Sequence, residues 1–103
     1  DGDGLSYDKG CFYISVPGGI KGMESVASHW QQHDALGASL IEGLRAHGAK
    51  INGNGSMAID LTQTSYSTVP SVDVELGNAC SDHSDATLEN LADGLVQGVE
   101  GYF

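Results

Sequence analysis

The stretch Val69-Pro70-Ser71-Val72-Asp73-Val74-Glu75-Leu76-Gly77-Asn78 decides the fold class. Val72, Val74 and Leu76 alternate with Asp73 and Glu75, the period-2 pattern of a strand with one packed face and one polar face. Gly77-Asn78 supplies the turn chemistry that ends it. A carboxylate near the carboxyl end of a strand lies where open α/β sheets place ligands and catalytic groups. Glu75 is therefore the first candidate functional residue.

Upstream, Cys11-Phe12-Tyr13-Ile14-Ser15-Val16 is strand-like in its aromatic and β-branched content, and Pro17-Gly18-Gly19 stops it. Residues 24–47 carry Val26, Trp30, His33, Leu36, Leu40, Ile41 and Leu44 at spacings of three and four, which predicts one long helix closed by Gly48. Gly37 and Gly43 weaken that helix and point to close packing against a neighbour. Asn52-Gly53-Asn54-Gly55 reads as a loop that lacks the lysine of a phosphate loop. Met57 to Leu61 reads as a short strand, and Thr62 to Thr68 as polar, irregular chain. Beyond Asn78, Ser81-Asp82-His83-Ser84-Asp85 offers several N-caps for a helix over residues 85–102, with Leu88, Leu91, Leu95, Val99 and Phe103 on one face. Asp85 and Glu89 lie in or near its first turn, where the helix dipole favours acids. The order β-α-(β)-β-α predicts an α/β fold, a layered sheet with flanking helices, in a single domain over residues 1–103.

The bulk properties narrow the function classes. A chain of 103 residues has room for one small domain. Its formal net charge is -10, and four basic residues (Lys9, Lys21, Arg45, Lys50) cannot build a phosphate-binding surface. Nucleic acid and anionic membranes are thus poor partners. No run approaches the length of a transmembrane helix. The opening Asp1-Gly2-Asp3-Gly4 has neither the basic start nor the apolar stretch of a secretion signal, so the expectation is a mature chain or a fragment. A disulfide between Cys11 and Cys80 would close a loop of about 70 residues, for which the chain-entropy model gives ~4 kcal/mol. The alternative is two separate buried thiols, since two cysteines form no spacing pattern.

Several further residues could carry chemistry, each with a plainer reading. Asp73 and Glu75 project from one strand face about 7 Å apart. They could form a carboxylate pair, but a solvated strand face explains them as well. His29 and His33 stand one helical turn apart, a spacing that can bind zinc. Gln31 and Gln32 between them cannot serve as the base of that motif, and exposed or half-buried histidines are the plainer reading. Cys80-Ser81-Asp82-His83 contains metal-ligand types and a possible Cys80/His83 nucleophile pair. Capping of the last helix accounts for Asp82 and Ser84 more simply. Ser71 and Ser84 lack a nucleophile-elbow context.

A family resemblance rests on Val69-Pro70, Val74-Glu75-Leu76-Gly77-Asn78, Asp85-Ala86, the run Leu91-Ala92-Asp93-Gly94-Leu95-Val96-Gln97-Gly98-Val99 and the ending Gly101-Tyr102-Phe103. Together these resemble the C-terminal part of the zinc-dependent N-acetylmuramoyl-L-alanine amidases, the type 3 cell-wall amidases. Residues 27–48 resemble that family's preceding helix, and Cys11 to Val16 the strand after its third metal ligand. The resemblance implies a three-layer α/β sandwich, incomplete in this chain. It implies hydrolysis of the amide joining N-acetylmuramic acid to L-alanine in peptidoglycan, and a secreted or cell-envelope location like that of an autolysin. It also implies one zinc held by a His-Glu-His set and a catalytic carboxylate beside the zinc-bound water, which carries over onto Glu75.

The family's metal ligands have no counterpart here: the "D-P-G-H-G-G" loop is absent, and Asp1-Gly2 matches only the tail of the "S-I-H-A-N/D-G" segment. Metal ligands within this chain are therefore expected to be none, with zinc held from a preceding segment. Asp73 departs from the family's apolar residue, and the connection after Asn78 is short. The alternative function is a wall- or protein-binding module of amidase fold, without catalysis or metal. Exposed sheet edges would also favour self-association.

Overall fold

The computed structural model describes residues 5–15, 30–58 and 70–103. Among them the elements run β1 (Cys11–Ser15), α1 (Trp30–Ala46), β2 (Ile51–Ala58), β3 (Val74–Glu75) and α2 (Asp85–Tyr102). This is the expected β-α-β-β-α order. Val16, the expected start of the long helix at residues 24–29, and residues 59–69 lie outside the described residues.

β1 is the centre of a mixed three-stranded sheet, with β2 parallel to it on one side and β3 antiparallel on the other. A parallel pair needs a crossover connection, and α1 lies within it. The α/β layered class read from the sequence is thus the observed one.

One boundary is corrected. Asn52 to Gly55 is not a loop before a strand at 57–61; it lies inside β2. Cys11 pairs with Ile51 but Tyr13 pairs with Ser56, so five steps on β2 oppose two on β1. The three extra residues form a bulge, in which Gly53 and Gly55 take φ of 54° and 88°. Gly55 is buried there, and a Cβ would lie 2.7 Å from Ile41 Cγ2. The loop-forming glycines are real, but the ladder closes around them.

The core cluster is Cys11, Tyr13, Ile41 and Leu44, with Ala49, Ile51, Val72, Val74, Leu91 and Leu95 packed against it. α1 turns Leu36, Leu40, Ile41 and Leu44 inward, as its three-four spacing predicts. Gly37 admits the Tyr13 ring, and Gly43 admits α2, whose Gly98 N would lie 2.7 Å from a Cβ at residue 43. At its end, Ala49 N–H donates to Leu44 C=O at 3.0 Å and Gly48 N–H to Arg45 C=O at 3.1 Å. Gly48 has φ 83°. This is a Schellman closure, with the Ala49–Leu44 apolar pair that accompanies it.

α2 starts on Ser84, whose hydroxyl accepts from Thr87 N–H. Its packing differs from the expected apolar stripe. Leu91 and Leu95 join the core, but Leu88, Val99 and Phe103 are exposed. Buried Gly94 and Gly98 make the close approach to α1, sealed by Ser39 Oγ donating to Gly98 C=O at 2.6 Å. Large-residue periodicity marks an amphipathic face, whereas the tightest helix contact runs through residues with no side chain.

α1 packs on the face of β1 that carries Cys11 and Tyr13, and α2 packs against α1. Phe12 points to the other face and is fully buried there. That is the face on which Glu75 stands.

Candidate active site around Glu75

β3 is shorter than its alternation predicts, but its facing is as expected. Val74 pairs with Tyr13 and packs on the core, while Glu75 lies opposite Phe12. Asp73 contributes its carbonyl, which accepts from Ile14 N–H at 2.9 Å. Asp73 and Glu75 are both half-buried, not the fully solvated face that the plainer reading expects. Leu76, expected on the packed face, is exposed because the ladder ends at Glu75 and Gly77, at φ 144°, turns the chain toward Ser81.

The Glu75 carboxylate has a cationic neighbour that the sequence did not single out. Lys9 Nζ lies 3.9 Å from Glu75 Oε1 and 5.0 Å from the centre of the Phe12 ring. The Lys9 side chain is 15% exposed and that of Glu75 35%. An ammonium over an aromatic face keeps favourable electrostatics while losing water.

Asn78 fixes this arrangement. It is buried, its Oδ1 accepts from Lys9 N–H at 3.2 Å, and its Nδ2 donates to Tyr7 C=O at 2.9 Å. Its own N–H donates to Ser81 Oγ at 2.9 Å. The Ser81 hydroxyl donates to Asp8 Oδ1 at 2.6 Å, and Gly10 N–H reaches the same oxygen at 3.0 Å. The turn after the Glu75 strand is thereby stitched to the segment before β1. The Ser81 hydroxyl, the Gly10 N–H, and the charges of Lys50 and His83 hold the Asp8 carboxyl below the usual carboxylate range. The sequence signal for this hub is slight: Gly77-Asn78 reads only as a turn.

A cleft of about 380 Å³ opens beside Glu75, between the end of β3 and the start of α2. Its walls include Glu75, Asn78, Asp82, His83, Leu88 and Leu91. Two carboxylates, one imidazole and an apolar wall can bind an amphipathic ligand and exchange a proton with it.

The remaining candidates take structural places. His33 is buried, not exposed, because α1 turns it inward; its Nδ1 accepts from Ser71 N–H at 3.1 Å. His29 lies outside the described residues. Cys11 and Cys80 are both free thiols: buried Cys11 donates to Leu76 C=O and exposed Cys80 to Leu5 C=O. Burial, followed by the Asp8 charge, pushes the Cys11 thiol up, so it is a poor nucleophile. Asp82 accepts from Ser84 N–H and from the Thr87 hydroxyl, as its capping role predicts. Among the described residues no group of three or more His, Cys, Asp and Glu side chains could hold a metal ion. The described residues therefore do not fit the zinc that the resemblance implies, and what they can carry is proton transfer.

No protein-family model matches the chain, and no curated protein matches it with significance. Among solved structures, it is similar to the apo form of the N-acetylmuramyl-L-alanine amidase Ami1 from Mycobacterium abscessus, with a TM-score of 0.74 and 19% identity. The match covers 95% of this chain and 49% of that one, so the chain spans about half the length of Ami1. Likeness at this identity is a statement about fold, because one fold hosts many chemistries. The small α/β architecture of this chain is the fold of the part of the amidase that it covers.

Proposed function

We propose that this chain acts as part of a peptidoglycan hydrolase that cleaves the amide between N-acetylmuramic acid and L-alanine, with Glu75 as its catalytic carboxylate. The observation that carries the reading is the placement of Glu75. It ends β3 and lines the cleft, in a fold shared with an amidase. The ionised carboxylate takes the proton of the attacking water and gives it to the leaving amine nitrogen as the C–N bond breaks. Zinc is the cofactor of this reading, held by ligands other than the described residues. The substrate sets the location as secreted or cell envelope. Among the described residues no helix is long and apolar enough to cross a membrane.

The test is digestion of purified peptidoglycan with zinc present, with mass spectrometry of the released stem peptides. The expected product carries a free L-alanine amine, and Glu75→Gln lowers its rate ~10²- to 10⁴-fold. A protein that sediments with the wall and releases nothing supports the binding-module alternative. Full activity in Glu75→Gln removes Glu75 from the mechanism.

A further inference from the structure

We propose that Lys9 is the positioning residue for Glu75, fixing where the carboxylate points and which of its oxygens exchanges the proton. The inference rests on the amidase reading. Its grounds are geometric. The Lys9 backbone is held by Asn78, three residues beyond Glu75, and the two neighbouring N–H groups are held as well, Gly10 by Asp8 and Cys11 by Lys50 C=O. From that anchored start the Lys9 ammonium lies over the ring of Phe12, the register partner of Glu75, and 3.9 Å from Oε1.

An ion pair at 3.9 Å contributes little to stability when solvated, and a lysine that is 15% exposed loses hydration to reach it. In a chain with four basic residues and a net charge of -10, a surface role would leave this ammonium in water. A role in orienting the Glu75 carboxylate accounts for the aim of the ammonium at Oε1. With Oε1 drawn toward Lys9, the other oxygen of Glu75 is the one available to take and return a proton. Lys9 touches neither substrate nor the reacting atoms in this scheme, so its effect passes through Glu75.

Two measurements on the full chain test it. The first is reductive dimethylation of lysines followed by mass spectrometry, which needs no activity. Lys9 is expected to react several-fold more slowly than exposed Lys50, and Glu75→Gln is expected to remove most of that protection. Equal rates at the two lysines, or protection indifferent to Glu75→Gln, overturn the pairing. The second is peptidoglycan hydrolysis. Lys9→Met is expected to lower kcat ~10- to 100-fold with KM changed less than about twofold, and Lys9→Arg to recover most of the loss. In the Glu75→Gln background Lys9→Met should add nothing. An additive loss there, or wild-type kcat in Lys9→Met, overturns the positioning role while leaving Glu75 catalytic. Zinc-loaded protein that contains this chain and hydrolyses nothing overturns the amidase reading, and the catalytic meaning of the pair with it, whatever the labelling shows.

Discussion

Asp8 ties together segments that lie more than seventy residues apart, and its charge is what they hold. The Ser81 hydroxyl and Gly10 N–H bond its carboxylate, while Lys50 and His83 add positive charge nearby. Its pKa is therefore lower in the folded chain than the ~3.9 of an unfolded one. The sign follows: the stabilisation is fully present above the unfolded value and is lost as pH falls through the folded one. Asp82 shifts in the same direction, through the Thr87 hydroxyl and then the Ser84 N–H and hydroxyl. The melting temperature should hold between about pH 7 and 5 and fall below about pH 4. Asp8→Asn should melt lower at neutral pH and lose less on acidification, so that the two curves converge in acid. Parallel curves in a thermal scan against pH would show that Asp8 carries none of this linkage.

Between the helices, contact depends on backbone approaching backbone. A Cβ at Gly43 would meet Gly94 C=O and Gly98 N–H, both backbone atoms that cannot swing aside. Alanine has the better helix propensity by about 1 kcal/mol, but overpacking of this kind costs about 1–3 kcal/mol. The steric effect should win. Gly43→Ala is expected to lower unfolding free energy by about 1–2 kcal/mol in urea titrations, whereas Gly101→Ala, which meets only the Ser39 hydroxyl, should stay within about 0.5 kcal/mol. A stabilised Gly43→Ala would mean that the helices can separate at little cost. The sequence disclosed these elements unevenly for physical reasons. α2 and the end of α1 are legible because caps and the Gly48 stop are local signals. The Asn52–Gly55 stretch misleads because glycines at positive φ look the same in a loop and in a bulge, and only pairing with β1 distinguishes them. Glu75 is legible from alternation. Its surroundings are not: Lys9 and Asn78 are 69 residues apart, and Asp8 and Ser81 73 apart, so nothing short of the fold brings them together.

At the scale of the whole molecule, the unresolved tension is between a sheet with open sides and a strongly charged surface. Among the described residues β2 and β3 are the outer strands of three. β3 offers two residues, too few to template another strand, but β2 runs for eight with Met57 exposed near its end. Outer strands of natural sheets are commonly guarded by lysine, proline or a covering element. β2 contains neither residue, and its one irregularity is the glycine bulge. Pairing of β2 with a second copy would satisfy outward N–H and C=O groups that no described strand pairs. Against this stands a net charge of -10, which repels like chains over roughly a Debye length, about 10 Å at 0.1 M salt. The balance should therefore move with ionic strength. We expect light scattering to show monomer at low salt and dimer or larger species as salt rises from about 0.05 to 0.5 M. Met57→Lys should shift that transition toward monomer by adding a guard to the edge. If the chain stays monomeric at high concentration across the whole salt range, the β2 edge is covered and repulsion is not what keeps copies apart. If Met57→Lys associates as the wild type does, the contact lies elsewhere, and the exposed Leu88, Val96, Val99 and Phe103 of α2 become the surface to substitute next.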